Sequence, residues 1–157
     1  MERIEKQVVI TAPQSAVWQA LTNTASLQRW MGAPEMRLAI GADWTAGGAI
    51  VITGYLHGAF RGWGTIVRFE PEEYLSYTQL SSLSRLPDVP ASYYTVAFAL
   101  ATQASQTVVT LTIDDSPNEV IYKHLNFYWG TTLQLLKRYV EQQQAAAGAA
   151  QMDPAPN

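Results

Sequence analysis

From Asn118 to about Gln144 the chain carries one broad apolar stripe, and that stripe constrains the fold more than any other feature. Tyr122, Leu125, Trp129, Leu133, Leu136 and Val140 recur at spacings of three and four, while Lys123, Lys137, Arg138 and Glu141 fall largely off the stripe. This is the period of an amphipathic α-helix. Ser116-Pro117-Asn118-Glu119 supplies a hydroxyl, an amide and an acid where the first free N–H groups and the positive dipole end would sit. A helix of about 25 residues is roughly 37 Å long. Only a large curved surface covers so long a stripe, and the chain before it reads mostly as strands.

Composition bounds that surface. A chain of 157 residues with 48% hydrophobic side chains fits one domain with a real core, and no second domain is expected. A net charge of −3 opposes nucleic-acid binding, which needs a concentrated basic face. The absence of cysteine excludes disulfides, thiolate metal sites and cysteine nucleophiles, and is compatible with a reducing compartment. No apolar run approaches the length of a membrane span, and Met1 to Lys6 lacks the apolar centre of a secretory signal, so a cytoplasmic protein is expected.

Ile4 to Thr11 alternates before the β-branched run Val8-Val9-Ile10 and reads as a first strand. Pro13 opens a short helix to Leu21, and Asn23 and Thr24 cap a second, Ala25 to Trp30. Met36 to Ile40 reads as a weak strand, Gly41-Ala42-Asp43 and Ala46-Gly47-Gly48 as turns, and Ile50 to Thr53 as a strand. His57-Gly58 marks a reversal. Phe60 to Phe69 follows, its glycines at 62 and 64 permitting a bulge or bend. After the Pro71-Glu72-Glu73 turn, Leu75, Tyr77 and Gln79 alternate with Ser76, Thr78 and Leu80, and the longest loop, Ser81 to Ala91, comes next. Tyr94, Val96, Phe98 and Leu100 share one face of a further strand, and Val109, Leu111 and Ile113 one face of the last. Ala145 to Asn157 can bury little and is expected to be a disordered tail after a single domain spanning 1–144. The order is strand, two short helices, about six antiparallel strands and one long helix, an α+β arrangement with the helix closing one face of the sheet.

Within that order the motifs resemble a known family. Ile10-Thr11-Ala12-Pro13 through Val17-Trp18-Gln19-Ala20-Leu21-Thr22, then Leu27 and Trp30, resemble the opening of proteins related to the activator of Hsp90 ATPase, in the START-like or SRPBCC superfamily. Gly64-Thr65-Ile66-Val67-Arg68-Phe69-Glu70-Pro71 with Leu75-Ser76-Tyr77-Thr78 resembles that family's central hairpin, and Trp129, Leu133, Leu136 and Lys137 its terminal helix. The match covers about residues 4–143. The resemblance implies a helix-grip fold, a curved antiparallel sheet wrapped around the last helix with a cavity between them. It does not imply one activity, because relatives include lipid and polyketide binders, cyclases and co-chaperone domains.

The residues argue separately for a cavity with some polarity. Trp63, Tyr77, Gln79, Tyr94 and Phe98 are expected to face the last helix, which answers with His124, Tyr128 and Trp129. Any one of these aromatics is more often plain core. Together, Tyr, Gln and His on an inward surface are costly without partners, which a polar ligand group would supply. Trp30, Trp44, Tyr55 and His57 complete the candidate ligand-binding set at the loop end, although the strand 50–57 has two competing phases, Ile50, Ile52 and Leu56 against Val51, Thr53 and Tyr55. His57 and His124 lack a cluster of acidic partners, so neither a metal site nor a cofactor is expected. Gly58 to Gly64 lacks phosphate-loop spacing, the serines at 81, 82 and 84 lack a nucleophile-elbow sequence, and Asp114-Asp115 reads as a turn cap. The first functional expectation is binding of a small hydrophobic molecule, lipid-like or aromatic, with Tyr77, Gln79, Tyr94 and His124 orienting its polar end. The alternatives are a cyclase-, hydratase- or hydrolase-like enzyme using His124 or His57 for proton transfer, and a co-chaperone-like interaction protein in stress response, the reading the family name suggests. Homodimerisation stays open.

Overall fold

A computed structural model describes residues 2–152, and in it the apolar stripe of the last helix determines where everything else lies. Seven strands form one antiparallel sheet in the order β1-β7-β6-β5-β4-β3-β2, where β1 is Ile4–Ile10, β2 Ala39–Ala42, β3 Ala49–Tyr55, β4 Ala59–Glu70, β5 Tyr74–Ser81, β6 Tyr94–Gln103 and β7 Gln106–Asp114. Two helices, α1 (Gln14–Thr22) and α2 (Thr24–Trp30), carry the chain from β1 across to β2 at the opposite edge, and the remaining strands meander back until β7 pairs with β1. The terminal helix α3 (Glu119–Met152) then lies against the sheet. This is the α+β arrangement expected from the element order and the helix-grip architecture that the family resemblance implied.

Helix α3 begins where its capping residues predict. The Asn118 side chain accepts from the Ile121 amide at 2.9 Å, leaving one fewer free donor in the first turn. Leu125, Trp129, Leu133, Leu136 and Val140 are all buried, with Tyr122 partly so. They meet Ile4, Val8, Ile10, Val96, Phe98, Val109, Leu111 and Ile113 from the sheet in one continuous core. The helix runs to Met152, past its expected end near Gln144, because the alanines there are the strongest helix formers even with little to pack against. The last part of the expected tail, 153–157, lies outside the described residues.

Both edges of the sheet are guarded by side chains. At β1, Lys137 donates to the Val9 carbonyl at 2.7 Å, and Glu141 accepts from the Thr11 amide at 2.8 Å. At β2, Gln28 accepts from the Ile40 amide at 3.4 Å. These contacts occupy backbone groups that an edge strand otherwise offers to other chains.

The expected strand at Met36–Ile40 is a correction. Pro34–Met36 is a 3-10 turn, Arg37 takes a left-handed φ of 47°, and pairing starts only at Ala39, so Gly41 and Ala42 belong to β2 rather than to a turn. The bulge in β4 also falls elsewhere than expected, between Ile66 and Arg68. Gly62 and Gly64 serve close approach instead. A Cβ on Gly64 would sit 1.7 Å from the Thr78 carbonyl oxygen, and one on Gly62 would sit 2.5 Å from Gln79 Nε2.

Candidate functional site

Alternation along β5 brings Leu75, Tyr77 and Gln79 to the inner face, and the register with β6 sets Phe98 opposite Leu75 and Tyr94 opposite Gln79. The phase of β3, ambiguous in the sequence, is settled by pairing. Ile50 and Ile52 stand across from Gly64 and Gly62 and face inward, leaving Val51, Thr53 and Tyr55 on the other side. Above this floor α2 contributes Leu27 and Trp30, and Met31 follows at its end. Between them lies an apolar cavity of about 10 Å³ bounded by Trp30, Met31, Trp44, Ile52, Tyr77 and Phe98 among others. That is room for about one water.

Aromatic contacts tie the cavity to α3. Trp129 packs edge-on against Phe98 at 5.6 Å and against Tyr128 at 5.3 Å, and lies 6.5 Å from Trp30. The Trp30 indole donates to the Ala20 carbonyl at 2.9 Å, so its polar edge is used within the fold while its ring forms wall. Tyr128 donates its hydroxyl to the Met31 carbonyl and so fastens the α2–β2 connection to α3. Leu38 and the Met36 carbonyl of that connection lie against Gly54 of β3.

Next to Tyr77 the interior turns polar. Gln79 is only 5% exposed, and neither its Oε1 nor its Nε2 has a hydrogen-bond partner. Buried amides are rarely left so, since each unmade bond costs about 1–3 kcal/mol. Gly62 makes the space that the amide fills. Burial raises the phenol pKa values of Tyr77 and Tyr94, with their tyrosine neighbours adding to the rise. Tyr128 is pushed up to about 12 by burial, drawn partway back by the Thr132 hydroxyl. All three hydroxyls are therefore neutral donors over the physiological range.

The structure divides the eleven-residue expectation. Trp30, Trp44, Tyr77 and Phe98 line the cavity, and Gln79, Tyr94 and Tyr128 gather beside Tyr77. Trp63 does not face α3. It stands on the opposite side of the sheet, donating to Asp88 at 3.2 Å with the Arg61 guanidinium 5.6 Å above its ring, and Asp88 also accepts from Tyr93 at 2.6 Å, which straps the long loop to that face. Tyr55 is 54% exposed on that outer phase. His57 is exposed at the β3–β4 reversal with a left-handed φ of 58°. His124 is exposed too, its ring stacked on Tyr128 at 6.2 Å rather than pointing inward. Residues not foreseen as wall include Leu21, Leu27, Met31, Ile40, Ile50 and Leu75. Apolar side chains give no sequence signal separating cavity wall from filled core. Among the described residues no group of three His, Asp or Glu side chains is placed to hold a metal ion.

Comparison with known proteins follows the same lines. Residues 11–141 match the family model described as activator of Hsp90 ATPase homolog 1-like protein. A Cytophaga hutchinsonii protein solved in solution is 31% identical, with 92% of this chain and 97% of that one covered and a TM-score of 0.76. A Nitrosomonas europaea protein is 22% identical over 91% of this chain and 96% of its own, with a TM-score of 0.74. The Aha1 dimer from Colwellia psychrerythraea is 21% identical over 90% of this chain and 97% of its own, with a TM-score of 0.71. No curated protein gives a significant match.

Proposed function

Because this chain belongs to the family of activator of Hsp90 ATPase homolog 1-like proteins, on a fold typical of proteins with ligand-binding cavities, we propose that it binds a small, mostly apolar molecule in the cavity between the sheet and α1 and α2, where no described α3 residue forms the wall, rather than between the sheet and α3 as expected. The apolar body lies against Trp30 and Phe98, and the polar end reaches Gln79, Tyr77 and Tyr94. One observation carries this reading: the Gln79 amide is 5% exposed and unpartnered at both ends, next to an aromatic cavity. A core selected only for stability replaces such a group with an apolar one. Ligand pockets occupy about 300–1,000 Å³, so the ligand makes its room by moving wall side chains and the connection from Met31 to Leu38, which the Tyr128 hydroxyl fastens.

The test is native mass spectrometry of freshly purified protein beside an Ile52→Trp variant that fills the cavity. A co-purified small molecule is expected in the parent and not in the variant. Its absence from both, or equal amounts in both, counts against the reading. The proton-transfer alternative loses its residues, because His57 and His124 are both exposed and neither lines the cavity.

A second reading concerns self-association. The Colwellia relative is a dimer, and here Val120 and Phe127, seven residues apart on α3, are 77% and 79% exposed. Residues at that spacing share a helix face. A second copy of the chain docks on this face in the proposal, and Phe127→Glu lowers the mass measured by light scattering to that of a monomer. A parent protein that is already monomeric at high concentration removes the idea.

A further inference from the structure

We propose that the buried Gln79 amide beside the cavity, two residues along β5 from the wall residue Tyr77, selects an uncharged group presenting a donor and an acceptor side by side, a carboxamide or lactam edge, over a carboxylate or an ammonium. This rests on the reading of the cavity as a ligand site and goes on to specify the head group.

The Gln79 amide offers Nε2–H as donor and Oε1 as acceptor on one planar edge, and both are without partners. A group that only accepts, or only donates, leaves one of them orphaned. A second amide edge satisfies both with two roughly parallel hydrogen bonds. Gly62 is matched to this use: with no Cβ it admits the amide, and a Cβ there would come within 2.5 Å of Nε2.

The surroundings reject charge. Tyr77 and Tyr94 are held neutral, and the groups acting on them are burial and other tyrosines, not an acid or a base. The charged and titratable groups of the adjoining elements are turned elsewhere. Arg61 stacks on Trp63 across the sheet, Lys123 pairs with Glu119 at 3.1 Å in solvent, and His124 is exposed. A carboxylate buried at Gln79 would meet neutral donors and no counter-charge, and an ammonium would meet too few acceptors.

The experiment uses naphthalene, naphthalene-2-carboxamide and naphthalene-2-carboxylate at pH 7, titrated into the full chain and into Gln79→Leu. The readouts are the indole N–H resonances of Trp30 and Trp129 and the Gln79 side-chain amide signal, identified by its loss in the variant. The carboxamide is expected to bind the parent at least about tenfold more tightly than the carboxylate. Its advantage over naphthalene is expected to vanish in Gln79→Leu, with circular dichroism of the variant as the check that it folds. A carboxylate that binds as well as the carboxamide overturns the assignment, as does a carboxamide advantage that survives in Gln79→Leu. Naphthalene shifting both indoles with no head-group preference overturns the head-group selection alone. If no compound shifts either indole, the cavity reading falls with it.

Discussion

At the scale of single residues, the inner face of β4 shows what a sequence pattern conceals. Its inward positions include Gly62, Gly64 and Ile66, so two have no side chain to register as apolar, and the conspicuous aromatic, Trp63, lies on the other face. The expectation that Trp63 points inward followed the aromatic signal where the glycines held the information. Tyr77, Gln79, Tyr94 and Phe98 were legible because the two-residue period puts each pair on one face of its strand together with Leu75 or Val96. The two glycines now make separable demands. Gly64→Ala drives a Cβ into the Thr78 backbone carbonyl, whereas Gly62→Ala meets only the end of the flexible Gln79 side chain. Gly64→Ala is therefore expected to lower the urea midpoint substantially, Gly62→Ala much less, and Gln79→Leu to relieve part of the Gly62→Ala cost. Equal losses at the two glycines would contradict this account. Gln79→Leu alone, without ligand, is expected to raise unfolding stability by about 1–3 kcal/mol, because it removes an unpartnered buried amide. A fall of that size in denaturant unfolding would mean that the amide is satisfied within the fold.

At the scale of elements, the long helix was the most legible part because many positions repeat one period. Leu125 through Val140 fall inward as the spacing requires, and Leu136 is fully buried. Leu136→Ala is expected to cost about 2–5 kcal/mol in denaturant unfolding, through lost burial and the cavity left behind. An unchanged midpoint would show that the helix rotates to another face. Its end was less legible, since Ala145 to Ala149 has no apolar period, and the helix continues there on backbone propensity. The short β2 was hidden for a related reason. Four residues including a glycine give too few alternations to read, and their strand is imposed by pairing with Thr53 through Ile50 of β3.

At the scale of the whole molecule, sheet, helices and connection enclose one interior that holds three phenols, and this ties global stability to alkaline pH. The order of strands, two helices, strands and a closing helix was readable from the chain. That Tyr77 of β5 and Tyr94 of β6 face Tyr128 of α3 was readable too, but not their burial together, which depends on how far α3 slides along the sheet before Trp129 seats against Phe98. Burial raises all three phenols above their ordinary pKa of 10. Below that pH both folded and unfolded chains keep the protons, and the stabilising difference is fully present. Above it the unfolded chain ionises while the folded chain resists, so stability falls as pH rises towards the raised folded values. For Tyr128, held at about 12, the share lost between the two values is about 3 kcal/mol. Urea unfolding followed from pH 9 to pH 12 is expected to show this decline, and Tyr128→Phe to remove about one proton from its slope. The variant also loses the bond to the Met31 carbonyl, so its midpoint is lower at pH 8, yet its curve converges on that of the parent as pH rises. A slope unchanged by Tyr128→Phe would place that hydroxyl in solvent and the Met31 connection free of α3.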